Sequence, residues 1–161
     1  MTLRMEEICE VRPPLSGELQ SRADRTPWTE KRRQFIVYRG DDQVGFLSFD
    51  LGFEEGLVIY ELFVGERHGR QGIGTAMLLE AEKIALSLGY AQLVLRPEVL
   101  NGRLSGEELT CFYLKREFRR SATYEGLLEK SLIDLDCSGE IRYGQSRRFC
   151  SHGLIERMER A

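Results

Sequence analysis

The sequence predicts a mixed α/β fold of the α+β kind, a central and mostly antiparallel sheet flanked by helices, and three patterns carry that reading. Phe35-Ile36-Val37-Tyr38 and Val44-Gly45-Phe46-Leu47-Ser48-Phe49 are β-branched and aromatic runs. They are joined by Arg39-Gly40-Asp41-Asp42, a turn whose glycine tolerates positive φ, so the pair reads as a hairpin. A third strand, Leu57–Val64, follows a loop holding Gly52 and Gly56 and extends the antiparallel run. That strand passes through a glycine-rich loop into a helix, in which Met77, Ala81, Ile84, Ala85 and Leu88 repeat at helical spacing. Residues 91–95 then form a short apolar strand stopped by Arg96-Pro97. A strand, helix, strand order calls for a right-handed crossover where the strands lie parallel, so the sheet is expected to be mixed.

The remaining elements are placed by local signals. Residues 1–34 are polar and broken by Pro13-Pro14 and Pro27, with a strand expected over 3–11 and a short helix over 15–21. The central helix is expected over 73–88, because Gly89 stands where a left-handed C-terminal cap is needed. Ser105-Gly106-Glu107-Glu108 has capping-box spacing, so a second helix should start there and carry Leu109, Phe112 and Tyr113 toward Lys115. Residues 127–135 read as a late strand. One domain over 1–135, clearest from 35 onward, is expected, followed by an arginine-rich tail over 136–161 with a possible helical turn at 154–158.

Composition narrows the class. The chain has 161 residues, enough for one domain and too few for two comfortable ones. A hydrophobic fraction of 42% and a mean hydropathy of -0.34 are those of a soluble globular protein. No apolar run approaches the roughly 20 residues that cross a bilayer, and the amino terminus lacks a secretory pattern, so a cytoplasmic location without membrane contact is expected. Cys9, Cys111, Cys137 and Cys150 lie far apart with no C-x-x-C pair, which points to reduced thiols and no metal site. A net charge of -3 argues against a nucleic-acid partner and for a small or cationic one.

The chemistry concentrates in Gly69-Arg70-Gln71-Gly72-Ile73-Gly74-Thr75, between strand and helix. Unpaired N–H groups and the positive end of a helix dipole suit a phosphate there. A nucleotide-triphosphatase loop needs Gly-Lys-Ser/Thr, which is absent. A dinucleotide turn needs a third glycine where Met77 stands. A plain tight turn remains open on spacing alone.

Residues 64–79, with their Gly-x-x-Gly-x-Gly core, resemble the acetyl-coenzyme A loop of the GNAT superfamily of N-acetyltransferases, whose pattern is Arg/Gln-x-x-Gly-x-Gly/Ala. Cys111-Phe112-Tyr113-Leu114-Lys115-Arg116-Glu117-Phe118 resembles that family's second signature, Leu-Tyr-Glu-Lys-x-Gly-Phe, in the correct order. The resemblance covers about residues 35–135. Two departures stand beside it: the usual Arg or Gln falls at Gly69 while an arginine sits at Arg70, and Glu117 replaces the glycine before Phe118. No clear counterpart exists for the asparagine often found ahead of the second helix, since Asn101 lies too early.

The resemblance implies an acyltransferase fold with its cofactor in a cleft between splayed strands at 57–64 and 91–95. It implies acetyl-CoA as donor, held by main chain from Gly69 to Thr75 (Gly69, Arg70, Gln71, Gly72, Ile73, Gly74, Thr75), with Arg67 and Arg70 adding Coulomb attraction. The pantetheine arm would pair with Leu62, Phe63 and Val64, and the Leu62 N–H would polarise the thioester carbonyl. Tyr113 would protonate the departing thiolate. An ammonium with a pKa near about 10.4 is no nucleophile at neutral pH, so a base is needed. Glu61 is the candidate, directly or through a water, with Glu54 and Glu55 in reserve. His68 and His152 have no partner at ligand or triad spacing and are expected to be solvated.

The expected reaction is direct acetyl transfer to a primary amine of an acceptor that the sequence does not name, small molecule or protein. Two other classes stay open: a non-catalytic acyl-CoA sensor, and an interaction module or homodimer built on the tail arginines Arg142, Arg147, Arg148, Arg157 and Arg160.

Overall fold

A computed structural model describes residues 1–8, 15–100, 102, 104–135 and 141–143. Seven strands form one sheet: β1 (Arg4–Glu7), β2 (Arg32–Arg39), β3 (Asp42–Asp50), β4 (Leu57–Val64), β5 (Gln92–Leu95), β6 (Arg119–Arg120) and β7 (Leu128–Ser131), in the order β1-β2-β3-β4-β5-β7-β6. The β4–β5 pair is parallel and the others are antiparallel, which is the mixed, mostly antiparallel α/β architecture the pattern predicts. The parallel pair spans α2 (Ile73–Ser87), closed by Gly89 at φ 84 as expected. Helix α3 (Gly106–Leu114) starts on the anticipated capping box: Ser105 accepts from Glu108 N while the Glu108 side chain accepts from Ser105 N.

Both faces of the sheet are covered. Helix α1 (Gly17–Arg25) buries Leu19 and Ala23 against Ile36, Phe46 and Phe63. On the other face, Met77, Leu78, Ala81 and Ala85 of α2, with Tyr113 of α3 and Phe118, pack over Val37, Leu47, Ile59 and Leu93. Each of the larger side chains contributes about 1.5–3 kcal/mol when fully withdrawn from water. Gly45 sets how closely α2 sits, since a Cβ there would lie 2.7 Å from the Phe63 carbonyl oxygen and 2.8 Å from Met77 Sδ.

Strand β4 carries a bulge that decides the site. Ser48 pairs with Glu61 and Phe49 with Ile59, leaving Tyr60 as the extra residue. Before the bulge Leu57 and Ile59 face the α2 side; after it Leu62 and Val64 do, while Glu61 and Phe63 face α1. One inserted residue thus swaps the faces of all that follow.

Several expectations need correction. The first helix spans Gly17–Arg25 rather than 15–21, because Leu19 and Ala23, one turn apart, give it its buried stripe. The predicted late strand breaks at Leu132, whose N–H goes to the Ala91 carbonyl. Its first part is β7, and its second, β8 (Ile133–Leu135), pairs with β9 (Ile141–Tyr143) in a separate two-stranded sheet. The first strand is described over Arg4–Glu7; the rest of its expected extent beyond Ile8 and the helical turn at 154–158 lie outside the described residues, as do Asn101 and His152.

Candidate active site

The β4–β5 ladder holds only where the two strands run together: Leu57, Val58 and Ile59 pair with Leu93, Val94 and Leu95, and then β5 ends before Arg96-Pro97. From Tyr60 to Val64 the β4 edge on that side has no ladder partner among the described residues. A cavity of about 700 Å³ opens beside this edge on the α2–α3 face. Leu62, Phe63 and Val64 form one wall; the loop and first turn of α2 form another; Phe112 and Tyr113 of α3 and Arg116 of the turn after it close the cavity, with Glu98, Val99 and Leu100 from the segment after β5.

The loop is shaped for an anion. After a 3-10 turn at Glu66–His68, Arg70 (φ 59) and Gly72 (φ 78) both take left-handed backbone, which turns successive N–H groups toward one concavity. Gly72 is the N-cap of α2, no side chain caps that end, and its first turn holds no acidic residue. The first helical bond runs from Ala76 N to Gly72 O, so the N–H groups of Ile73, Gly74 and Thr75 have no helical acceptor. A Cβ at Gly74 would sit 3.5 Å from Phe112 Cζ, ordinary contact, whereas one at Gly72 would be strained by its φ.

Of the loop residues expected to line the site, Gly69, Arg70, Gly72, Ile73, Gly74 and Thr75 do so. Gln71 does not: its side chain accepts from Arg39 Nη1 at 2.7 Å and donates to the Arg67 carbonyl at 3.1 Å.

Tyr113 lines the cavity, is buried between Phe112 and Phe118, and has its phenol pushed up to about 12 by burial against an opposing pull from Arg116. It is therefore fully protonated at neutral pH. Glu61 lies across the sheet, outside the lining of this cavity. Its Oε2 accepts from Thr26 Oγ1 at 2.8 Å, its Oε1 lies 3.7 Å from Arg22 Nη1, and that Oε1 has no hydrogen-bond partner among the described residues. Burial raises its pKa above the ordinary carboxylate range; Thr26 and Arg22 oppose the shift and Glu98 adds to it. Arg22 also donates to the Leu100 carbonyl and lies over the Phe63 ring, tying α1 to both walls of the gap. Glu54 and Glu55 are exposed away from the cavity, and Glu55 accepts from the Tyr124 hydroxyl at 2.5 Å.

Among the lining residues that sequence reasoning did not assign to the site, Arg116, Glu98 and His68 carry titratable side chains. Arg116 lies three residues after Tyr113 in the turn that follows α3, and it sits inside the second signature. Glu98 follows Pro97 in a segment with no pattern. His68, expected to be solvated, is half-buried at the cavity wall with an unpartnered Nδ1. Among the described residues no cluster of side chains has the makings of a metal site, and no helix is long and apolar enough to cross a membrane.

Comparison with known proteins agrees with this geometry. The model of the acetyltransferase (GNAT) family matches residues 4–104. Among solved structures, a GNAT family acetyltransferase from Elizabethkingia anophelis with acetyl-CoA bound aligns at a TM-score of 0.59 and 17% identity, covering 81% of this chain and 98% of the other. A Bacillus subtilis acetyltransferase in complex with CoA aligns at 0.59 and 20% identity, covering 81% and 99%. The PaiA N-acetyltransferase of Thermoplasma acidophilum in complex with coenzyme A aligns at 0.50 and 21% identity, covering 70% and 65%. No curated protein sequence matches. With the family model spanning more than half of its length, and with strand, loop and helix in the arrangement described, this chain belongs to the GNAT acetyltransferase family.

Proposed function

We propose that the chain transfers the acetyl group of acetyl-CoA directly to a primary amine. The observation that carries the reading is the conjunction of an uncapped α2 N-terminus, free of acidic residues, with an unpaired β4 edge on one cavity of about 700 Å³. The first suits a diphosphate and the second a peptide-like arm, the two parts of coenzyme A that differ most in chemistry.

In this reading the N–H groups of Gly72 to Thr75 hold the diphosphate. Main chain does this without burying a cationic side chain, and each charge-assisted bond is worth about 1.5–3 kcal/mol. Leu62, Phe63 and Val64 offer main-chain groups to the pantetheine amides, and the Leu62 N–H polarises the thioester carbonyl where negative charge develops. The amine forms a C–N bond to the carbonyl carbon as the C–S bond breaks. Glu61 takes up the amine proton through a water, from the α1 side of the slot, and Tyr113 gives its phenolic proton to the leaving sulfur. A phenol near 12 is a weak donor to a thiolate near about 8.5 in water, but the same apolar wall that raises the phenol raises the thiolate. Cys111, the one cysteine among the described residues, is exposed and outside the cavity lining, so the reading routes the acyl group directly to the amine. The acceptor amine belongs to a small molecule or a protein.

Calorimetric titration with acetyl-CoA, followed by a screen of amines for thiol release, tests the reading. Saturable binding with acceptor-dependent release supports it. Binding with no release for any amine, unchanged in Tyr113→Phe and Glu61→Gln, would make the chain an acyl-CoA sensor instead.

A further inference from the structure

Arg116 is placed unlike a surface cation. Its Nε and Nη2 both donate to Thr75 Oγ1, at 3.1 and 2.5 Å, its Nη1 donates to the Phe112 carbonyl at 2.6 Å, and its guanidinium lies 3.7 Å over the Phe112 ring. Burial disfavours its charge, yet it is held against the cavity wall by three hydrogen bonds to protein. Thr75 stands in the first turn of α2, among the N–H groups without a helical acceptor.

A hydroxyl has two acceptor lone pairs and one proton. At Thr75 both recorded hydrogen bonds are received, so the lone-pair side is taken and the proton is left without an acceptor among the described residues. Thr110 of α3 shows the ordinary alternative: its Oγ1 donates back to the Gly106 carbonyl at 2.8 Å, as a helical threonine usually does. Thr75 has been turned the other way. Thr75 lines the cavity beside the very N–H groups assigned to the diphosphate.

We infer that Arg116 is a positioning residue for the cofactor: it fixes the Thr75 hydroxyl as a donor, polarised by the guanidinium, aimed at the diphosphate of acyl-CoA. The inference rests on the acyl-CoA reading of the cavity and adds a side-chain donor to its main-chain ones. Arg116 acts through Thr75 rather than as a direct ligand of the anion.

Calorimetric titration of coenzyme A and of 3′-dephospho-coenzyme A into the full chain and its variants tests this. Arg116→Met and Thr75→Val should each weaken both ligands about tenfold, and the double variant should be no more than about twofold weaker than either single one, because the two residues form one device. Thr75→Ser, which keeps the hydroxyl, should bind within about twofold of the parent. Losses that multiply in the double variant would overturn the inference, since Arg116 would then act on its own. A loss at Arg116→Met that vanishes with the dephospho ligand would overturn it too, placing Arg116 on the 3′-phosphate. Should Arg116→Met fail to fold, the Thr75 pair decides: Val binding as tightly as Ser refutes the role of the hydroxyl. A parent chain that binds neither ligand refutes the acyl-CoA reading itself, whereas normal parental binding with unaltered variants refutes this inference alone.

Discussion

On the α2–α3 face of the sheet the candidate site is made chiefly of main chain: the β4 edge from Tyr60 to Val64, the left-handed turns at Arg70 and Gly72, and the open first turn of α2. On the α1 face the same strand offers side chains. Gln34, Ser48 and Glu61 are register neighbours across β2, β3 and β4, all buried, and Gln34 Oε1, Ser48 Oγ and Glu61 Oε1 each lack a hydrogen-bond partner among the described residues. The difference separates the two tasks of a transfer reaction. Holding a large donor is done with groups every residue carries, at no cost in buried charge. In the proposed reading one proton is handled by a buried carboxyl, and unsatisfied buried polar atoms cost about 1–3 kcal/mol each. Structure of that cost is retained where chemistry needs it.

The sharpest way to break this division is at Tyr113. Tyr113→Phe removes only the phenolic hydroxyl, and turnover should fall about 10²–10⁴-fold while acetyl-CoA affinity, measured by calorimetry, stays within about twofold. A parallel loss of affinity would make Tyr113 part of the holding apparatus instead.

The next effect belongs to the loop. Gly72→Ala forces a Cβ onto φ 78, at a cost of about 1–2 kcal/mol, so cofactor affinity should drop roughly 5- to 30-fold. Gly74→Ala, whose Cβ meets Phe112 at 3.5 Å, should leave thermal stability nearly unchanged. Equal behaviour of the two variants would deny the loop its special backbone.

A third test concerns the α1 face. Burial holds the folded-state pKa of Glu61 above its unfolded value of about 4.5, so its contribution to stability is full below that value and is lost as pH rises through the raised one. Glu61→Gln removes the dependence. Denaturant titrations should show the variant gaining on the parent between pH 4.5 and neutrality, and a constant gap across that window would contradict the burial argument.

The smallest effect is at the end of α3. Glu117 occupies φ 69 where the family pattern has glycine, so the turn forms despite the substitution and carries strain. Glu117→Gly should raise stability by about 0.5–1 kcal/mol in thermal melts, less whatever the contact with Lys130 at 3.3 Å contributes.

These effects also mark what the sequence discloses. Strand β4, the start of α2, the Gly89 cap and the Ser105 capping box were legible because each depends on a few adjacent residues. The donor-holding loop is of that kind. The face of Glu61 was not. Alternation over 57–64 puts Glu61 on the same side as Leu57 and Ile59, and only the bulge at Tyr60, which depends on pairing with β3, turns it toward Thr26 and Arg22. The tie of the Gln71 side chain was hidden for a similar reason: its partner Arg39 is 32 residues away. Arg116 lay within a recognised signature, yet its role depends on reaching Thr75, 41 residues earlier. Local grammar therefore reveals the main-chain site, and tertiary pairing builds the side-chain one.

The central claim, that backbone donors at the β4–α2 junction grip the diphosphate of acyl-CoA, is tested most directly by amide NMR during titration with coenzyme A. The account predicts saturable shifts centred on the amides of Gly72, Ile73, Gly74 and Thr75, with those of α1 nearly still. Saturation that leaves these four amides unmoved would contradict it.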